Sequence, residues 1–133
     1  MYMLDTNICS YIINRHPLNV LEKFETLQKQ QLCISIITYA ELHYGVEKSS
    51  SKKLNQEVIE QFIKRLSVVP WDMDAALHYT KIRSYLGKQG TPIENMDLLI
   101  AAHARSQNLI LVTNNLRESE RVPDLNLENW TPS

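Results

Sequence analysis

Three carboxylates in this chain of 133 residues stand where packing alone would not put them. Asp5 directly follows the apolar run Met1-Tyr2-Met3-Leu4, where a buried strand gives way to a helix N-terminus. Glu41 shares a helix face with Ile37, Tyr44 and Gly45, its neighbours one turn before and after. Asp97 shares a stripe with Ile100, Ala101 and Ala104. An acid on an apolar stripe is expected to face the interior, where an ionised carboxyl needs a partner. A divalent cation satisfies several carboxylates at once, and Mg²⁺ typically takes one or two of them, completing its shell with waters and phosphate oxygens. Its chemistry would be phosphodiester hydrolysis: the ion helps to generate hydroxide and neutralises charge on the scissile phosphate. No side-chain nucleophile is required.

Each acid also has a purely structural reading. Asp5 can cap the first helix, Glu41 can sit at a rim paired with Lys48, and Asp97 in a first turn can complement the helix dipole. The three together, at a strand end, a helix face and a helix start, are what point to a metal.

The elements that must position these acids are legible in the apolar pattern. Ile8, Tyr11 and Ile12 continue a helix opened by Asp5-Thr6-Asn7, and Pro17 suits the first turn of a second helix through Val20, Leu21, Phe24 and Leu27. Leu32 to Ile36 reads as a strand, followed by a helix carrying Ile37, Ala40, Glu41, Tyr44 and Gly45. Beyond a polar loop at residues 49–53, Leu54, Val58, Ile59, Phe62, Ile63 and Leu66 mark another amphipathic helix, and Val68-Val69 a short strand ended by Pro70. Helices follow over Asp72 to Lys88 and Met96 to Ser106, with a turn at Gly90-Thr91-Pro92 between them. Leu109 to Val112 is the clearest strand, Asn114-Asn115-Leu116 opens a helical turn, and Leu125 to Leu127 reads as a last edge strand. Alternating strands and helices predict one α/β domain over residues 1–133 with a mostly parallel sheet. In such sheets the site lies at the carboxyl ends of the strands, where Asp5 and Asn114-Asn115 fall.

Hydrophobic residues are 44% of the chain and charged residues 22%, enough for a continuous core, with disorder expected only at the last few residues. The net charge of −1 lacks the basic signature common in nucleic-acid binders, although a cluster of acids around a metal would itself lower the charge. Two cysteines, Cys9 and Cys33, make no disulfide framework, and no run is long enough to span a bilayer, so a reduced cytoplasm is the expected compartment. His16, His43, His78 and His103 form no zinc pattern, and His103, in an alanine-rich helix, is expected to be packed and hydrogen-bonded. Trp71, Trp130 and the 6 tyrosines are expected mostly in the core or at a dimer interface rather than stacked on bases. Of Lys81, Arg83, Arg105, Arg117 and Arg121, the last two are favoured for phosphate because they follow the turn facing the site.

Three segments in order, MYMLDTNICSYII, ISIITYAELHYGVEKS and GTPIENMDLLIAAHARSQNLILVTNN, resemble the PIN-domain ribonucleases, and within them the VapC toxins of bacterial toxin–antitoxin pairs. The resemblance implies a three-layer α/β/α fold, with Asp5, Glu41 and Asp97 as metal-binding catalytic acids. It implies that Thr6 and Asn7 tune the first acid and that Thr113 lies beside the metal pocket. The implied cofactor is Mg²⁺, with Mn²⁺ as its substitute. The implied partners are an RNA substrate, with the initiator tRNA anticodon loop as its expected target, a second copy of the chain, a cognate antitoxin whose tail covers the active site, and an operator DNA reached only through the antitoxin. Many relatives carry a fourth acid after the last core strand; here that segment is Thr113-Asn114-Asn115. Either three acids suffice, with Asn115 offering a carbonyl oxygen, or Glu118 or Glu120 reaches in. Two other functions use the same residues: hydrolysis of small phosphate esters in a closed pocket, and a catalytically silent domain that binds an antitoxin or DNA.

Overall fold

The computed structural model describes residues 1–131; the remaining two, part of the tail for which disorder is expected, lie outside them. Five short strands form one sheet: β1 (Tyr2–Leu4), β2 (Leu32–Ser35), β3 (Ser67–Val69), β4 (Ile110–Val112) and β5 (Asn126–Glu128). The order is β3-β2-β1-β4-β5 and every pairing is parallel, so the expected last edge strand joins in the same direction as the rest. The helices are α1 (Thr6–Ile13), α2 (Leu18–Glu25), α3 (Ile36–Lys48), α4 (Lys52–Ile63), α5 (Met73–Gln89), α6 (Asn95–Ser106) and α7 (Leu116–Ser119).

Strand side chains alternate between faces, and this divides the core in two. Leu4, Leu32, Ile34 and Val112 face one cluster, which Ile8 and Ile12 of α1, Phe24 of α2 and Ile59 and Phe62 of α4 complete. Met3, Cys33 and Leu111 face the other, closed by Ile82 and Leu86 of α5 and by Leu98, Ile100, Ala101 and Ala104 of α6. The result is helix, sheet, helix in three layers. Small residues on α6 let it lie close against the sheet, and α5 ends at Gly90, whose φ of 69° is the left-handed cap that glycine adopts without strain.

The chain runs outward from β1 to β2 and β3, then returns to place β4 on the other side of β1. Between β1 and β4 the connections leave in opposite directions and open a crevice at the carboxyl ends. Asp5 ends one of these strands and Thr113 the other, and the Asp5 amide extends the ladder by donating to the Val112 carbonyl at 3.0 Å.

Candidate active site

Asp5 is 6% exposed and serves as the N-cap of α1, its Oδ1 accepting from the Ile8 amide at 2.9 Å. The structural and the chemical readings of this residue are therefore both true: the cap fixes the carboxyl at the floor of the crevice. Burial raises its pKa above the ordinary 3.8, hydrogen bonds from the Thr113 hydroxyl and the Ile8 and Asn7 amides oppose that rise, and Glu41 adds to it. Asn7 acts through its backbone, and its own residue is exposed.

Asp97 stands in the first turn of α6, where its amide donates to the Glu94 side chain at 3.1 Å. Its stripe-mates Ile100, Ala101 and Ala104 are buried as the spacing predicts, while Asp97 itself is half-buried at the crevice mouth. Its pKa is pushed up to about 6, first by burial and then by Glu94, Asp5, Glu118 and Glu41. Asp5 and Asp97 line one small pocket with Ile100, Leu111, Thr113 and Ser119, about 10 Å³ in volume. That is room for a single occupant of the size of a water molecule.

Glu41 needs a correction. The sequence pattern puts it on a core-facing stripe with Ile37, Tyr44 and Gly45, but the core face of α3 is Thr38, Leu42 and Val46. The stripe that carries Glu41 looks onto an open groove, and Tyr44 on it is 63% exposed. α3 has apolar residues on two faces, and periodicity alone does not say which one the sheet takes. Glu41 nonetheless joins the site. Its Oε1 accepts from the Thr6 hydroxyl at 2.5 Å, next to Asp5, and its charge acts on both Asp5 and Asp97. Thr6 also lies 3.2 Å from the hydroxyl of buried Thr38, so α1 and α3 are tied at the level of the acids.

At the fourth position the Asn115 side-chain amide donates to Glu118 Oε2 at 3.0 Å, and the Asn115 backbone amide donates to Thr113 Oγ1 at 3.0 Å. Asn115 thus holds Glu118 near Asp97, whose proton affinity Glu118 raises. Glu120 is the exposed C-cap of α7 and is not among the leading charges on Asp5 or Asp97. Sequence reasoning missed Glu94, Ser119 and Thr38. Glu94 caps α6 although glutamate is not one of the usual capping residues, and nothing in the spacing marks the other two.

Among the described residues, no three His, Cys, Asp or Glu side chains, Asp5, Glu41 and Asp97 included, are gathered closely enough to hold a metal ion together. Mg²⁺ does not require three, because two carboxylates with waters and phosphate oxygens fill its shell. The donor set fits such an ion: Asp5 and Asp97 would hold it, with Glu41 and Glu118 within electrostatic reach. Four acids raising the proton affinity of one carboxyl form a site that a cation would relieve.

The expected phosphate-gripping cations divide. Arg105 is committed to the His78 ring at 2.9 Å and the Pro123 carbonyl at 3.1 Å, and Arg83 to the Tyr79 hydroxyl at 2.9 Å. Arg121 donates to the Pro92 carbonyl at 3.2 Å, whereas Arg117 is exposed on α7. His103 is buried, with Nδ1 2.7 Å from Ser35 Oγ, as its packed reading predicts, and Cys9 and Cys33 are buried free thiols.

Comparison with known proteins bears on the family and the fold. Residues 2–125 match the model of the PIN domain. The chain is 50% identical to Ribonuclease VapC2 of Haemophilus influenzae over 97% of each chain. It is 46% identical to the tRNA(fMet)-specific endonuclease VapC of Salmonella typhimurium, again over 97% of each. The structure superposes, with a TM-score of 0.92 and 44% identity over 98% of each chain, on a chain of VapBC2 from Rickettsia felis bound to a DNA fragment from its promoter.

Proposed function

Because the chain belongs to the PIN-domain family, and within it to the VapC ribonucleases, we propose that it is the toxin of a toxin–antitoxin pair and acts as a metal-dependent endoribonuclease on tRNA. The observation that carries this reading is the pairing of Asp5 and Asp97 on one small pocket, with Glu41 held beside it by Thr6. A bound Mg²⁺ or Mn²⁺ would supply a polarised water and neutralise charge on the scissile phosphate. The rest of the work falls to the chain. The Ile8 and Asn7 amides and the Thr113 hydroxyl hold Asp5 in one orientation. Thr6 fixes the Glu41 carboxylate, which can accept a proton at Oε2 while Oε1 stays bonded. Asn115 steadies Glu118 at the mouth.

The shape favours a polymer over a small ester. Glu41 and Thr6 lie between two open grooves, one with Tyr44 and Met96 and the other with Ile13 and Val58. The latter groove, between α1 and α4, offers apolar surface leading to the acids, and the tail of an antitoxin is expected there. Operator DNA would be met through the antitoxin; the Rickettsia felis relative is a VapBC2 complex bound to a DNA fragment from its promoter. A second copy of the chain is expected as well.

The test is to incubate the purified chain with tRNA and with a chromogenic phosphodiester, in Mg²⁺, in Mn²⁺ and in EDTA. Cleavage of tRNA alone, stopped by EDTA and restored by either ion, is the expected result. Turnover of the small ester with tRNA left intact would overturn the reading in favour of a small-molecule hydrolase.

A further inference from the structure

The groove on the α3–α6 side of the acids measures about 600 Å³, within the range of small-ligand clefts. Thr6 and Glu41 stand at its wall, so it is continuous with the acid site. Ile37, Met96 and Leu99 give it an apolar lining. Tyr44 is 63% exposed, and the Lys48 ammonium lies over one face of the ring, 4.7 Å from the centroid. An apolar slot, an exposed ring and a cation together match the parts of a nucleotide: base faces stack on aromatic rings, and a nearby ammonium suits the phosphate.

We propose that this groove is a nucleobase subsite, in which Tyr44 stacks on an unpaired base next to the scissile phosphate and Lys48 contacts the adjoining phosphate. The proposal rests on the nuclease reading above and specifies how that site holds its substrate. A polynucleotide whose phosphate sits against Asp5 and Asp97 must send a neighbouring nucleotide along the surface, and on the Glu41 side this groove is the surface it meets. A second copy of the chain is the competing occupant. Lys48 favours the polyanion, because an ammonium at the rim of the groove complements a phosphate.

The consequence for specificity is that the subsite selects for an unstacked base. A loop nucleotide can enter, whereas a base inside a duplex cannot present its face. Position is thereby read through structure rather than through sequence.

The test uses a short single-stranded RNA carrying 2-aminopurine, the same sequence in a duplex, and three variants: Tyr44→Ala, Tyr44→Trp and Lys48→Ala. Binding is followed by anisotropy in EDTA, cleavage in Mn²⁺, Mn²⁺ affinity by calorimetry and mass by light scattering. Tyr44→Ala is expected to weaken single-strand binding roughly tenfold, the scale of one lost stack, and to abolish quenching of the 2-aminopurine. Mn²⁺ affinity and mass should be unchanged, Tyr44→Trp should restore binding, and Lys48→Ala should flatten its salt dependence. Equal binding by wild type and Tyr44→Ala, with wild type cleaving RNA normally, would overturn the subsite and leave the nuclease intact. A change of oligomeric mass in Tyr44→Ala would assign the groove to a second copy instead. Failure of wild type to cleave RNA in Mn²⁺ would remove the nuclease reading and the subsite with it.

Discussion

Asp97 keeps its proton to a pH near 6 because burial and four neighbouring acids disfavour its charge. Its folded pKa lies above the ordinary 3.8, so the folded, metal-free state binds more protons than the unfolded state across that interval. Asp97 therefore contributes stability to the metal-free protein that is lost as pH rises from about 4 to about 6, and Asp5, also raised, acts in the same direction, whereas His78 and His103, whose pKa values are lowered, act oppositely below 6.5. Urea unfolding in EDTA of wild type and Asp97→Asn at several pH values isolates the carboxyl's share; a gap between the two proteins that does not widen in favour of the variant through the interval would contradict it. Metal binding has the opposite trend, because the ligands must shed protons: Mn²⁺ affinity should rise through pH 6 and then level off. Asp5→Asn, Glu41→Gln and Asp97→Asn are each expected to cut cleavage by more than about a hundredfold, beyond what loss of a supporting contact costs, while the fold survives. Asp97→Asn should also unfold later than wild type in EDTA at neutral pH, and an earlier transition would remove the picture of a repelling cluster. At the fourth position, Asn115→Asp should tighten Mn²⁺ binding in the free protein by adding charge beside Glu118, and Asn115→Ala should harm cleavage less than loss of Asp5. Calorimetry resolving two tight Mn²⁺ sites in the wild type without RNA would show that Glu118 already supplies the missing charge.

The acids work only as far as their elements are fixed. Ser35 ends β2, caps α3 by accepting from the Ile37 amide at 3.1 Å, and pairs with buried His103 of α6 at 2.7 Å. One hydroxyl thus ties the helix carrying Glu41 to the helix carrying Asp97. Ser35→Ala is expected to cost about 1–3 kcal/mol, from the lost cap and the stranded imidazole, and to lower the melting temperature by several degrees. An unchanged melting temperature would mean that packing alone sets the spacing of α3 and α6. Much at this scale was legible beforehand. The apolar strand before Asp5, the alanine-rich stripe under Asp97 and the breaker at Gly90 each state a local preference that the fold keeps. The orientation of α3 was not legible, because two apolar faces compete and only the packing of α1 and α4 against Leu42 and Val46 decides which is covered. Nor was the link from Asn115 to Glu118, since a side-chain hydrogen bond inside a short helical turn leaves no periodic trace. The involvement of Glu94 was not legible either, since glutamate is not a usual capping residue and its effect on Asp97 depends on burial that only the packed structure supplies.

At the scale of the molecule, α5 leaves Met73 82%, Leu77 58% and Tyr85 44% exposed on the side away from the sheet. Apolar surface of this kind is what a symmetric pairing buries. A homodimer at micromolar concentration is the expected mass by light scattering, and Leu77→Lys is expected to shift it toward monomer; a wild-type monomer would contradict this. No helix among the described residues is long and apolar enough to cross a membrane, and the three layers hold one crevice, where β1 and β4 end. The central claim is that this crevice cuts RNA through its acids. Its most direct test is to express the chain briefly without an antitoxin and sequence the RNA ends that appear, with Asp97→Asn expressed in parallel. The account predicts new ends concentrated in a tRNA loop for the wild type and none for the variant. The same ends from both proteins, or none from the wild type, would contradict it.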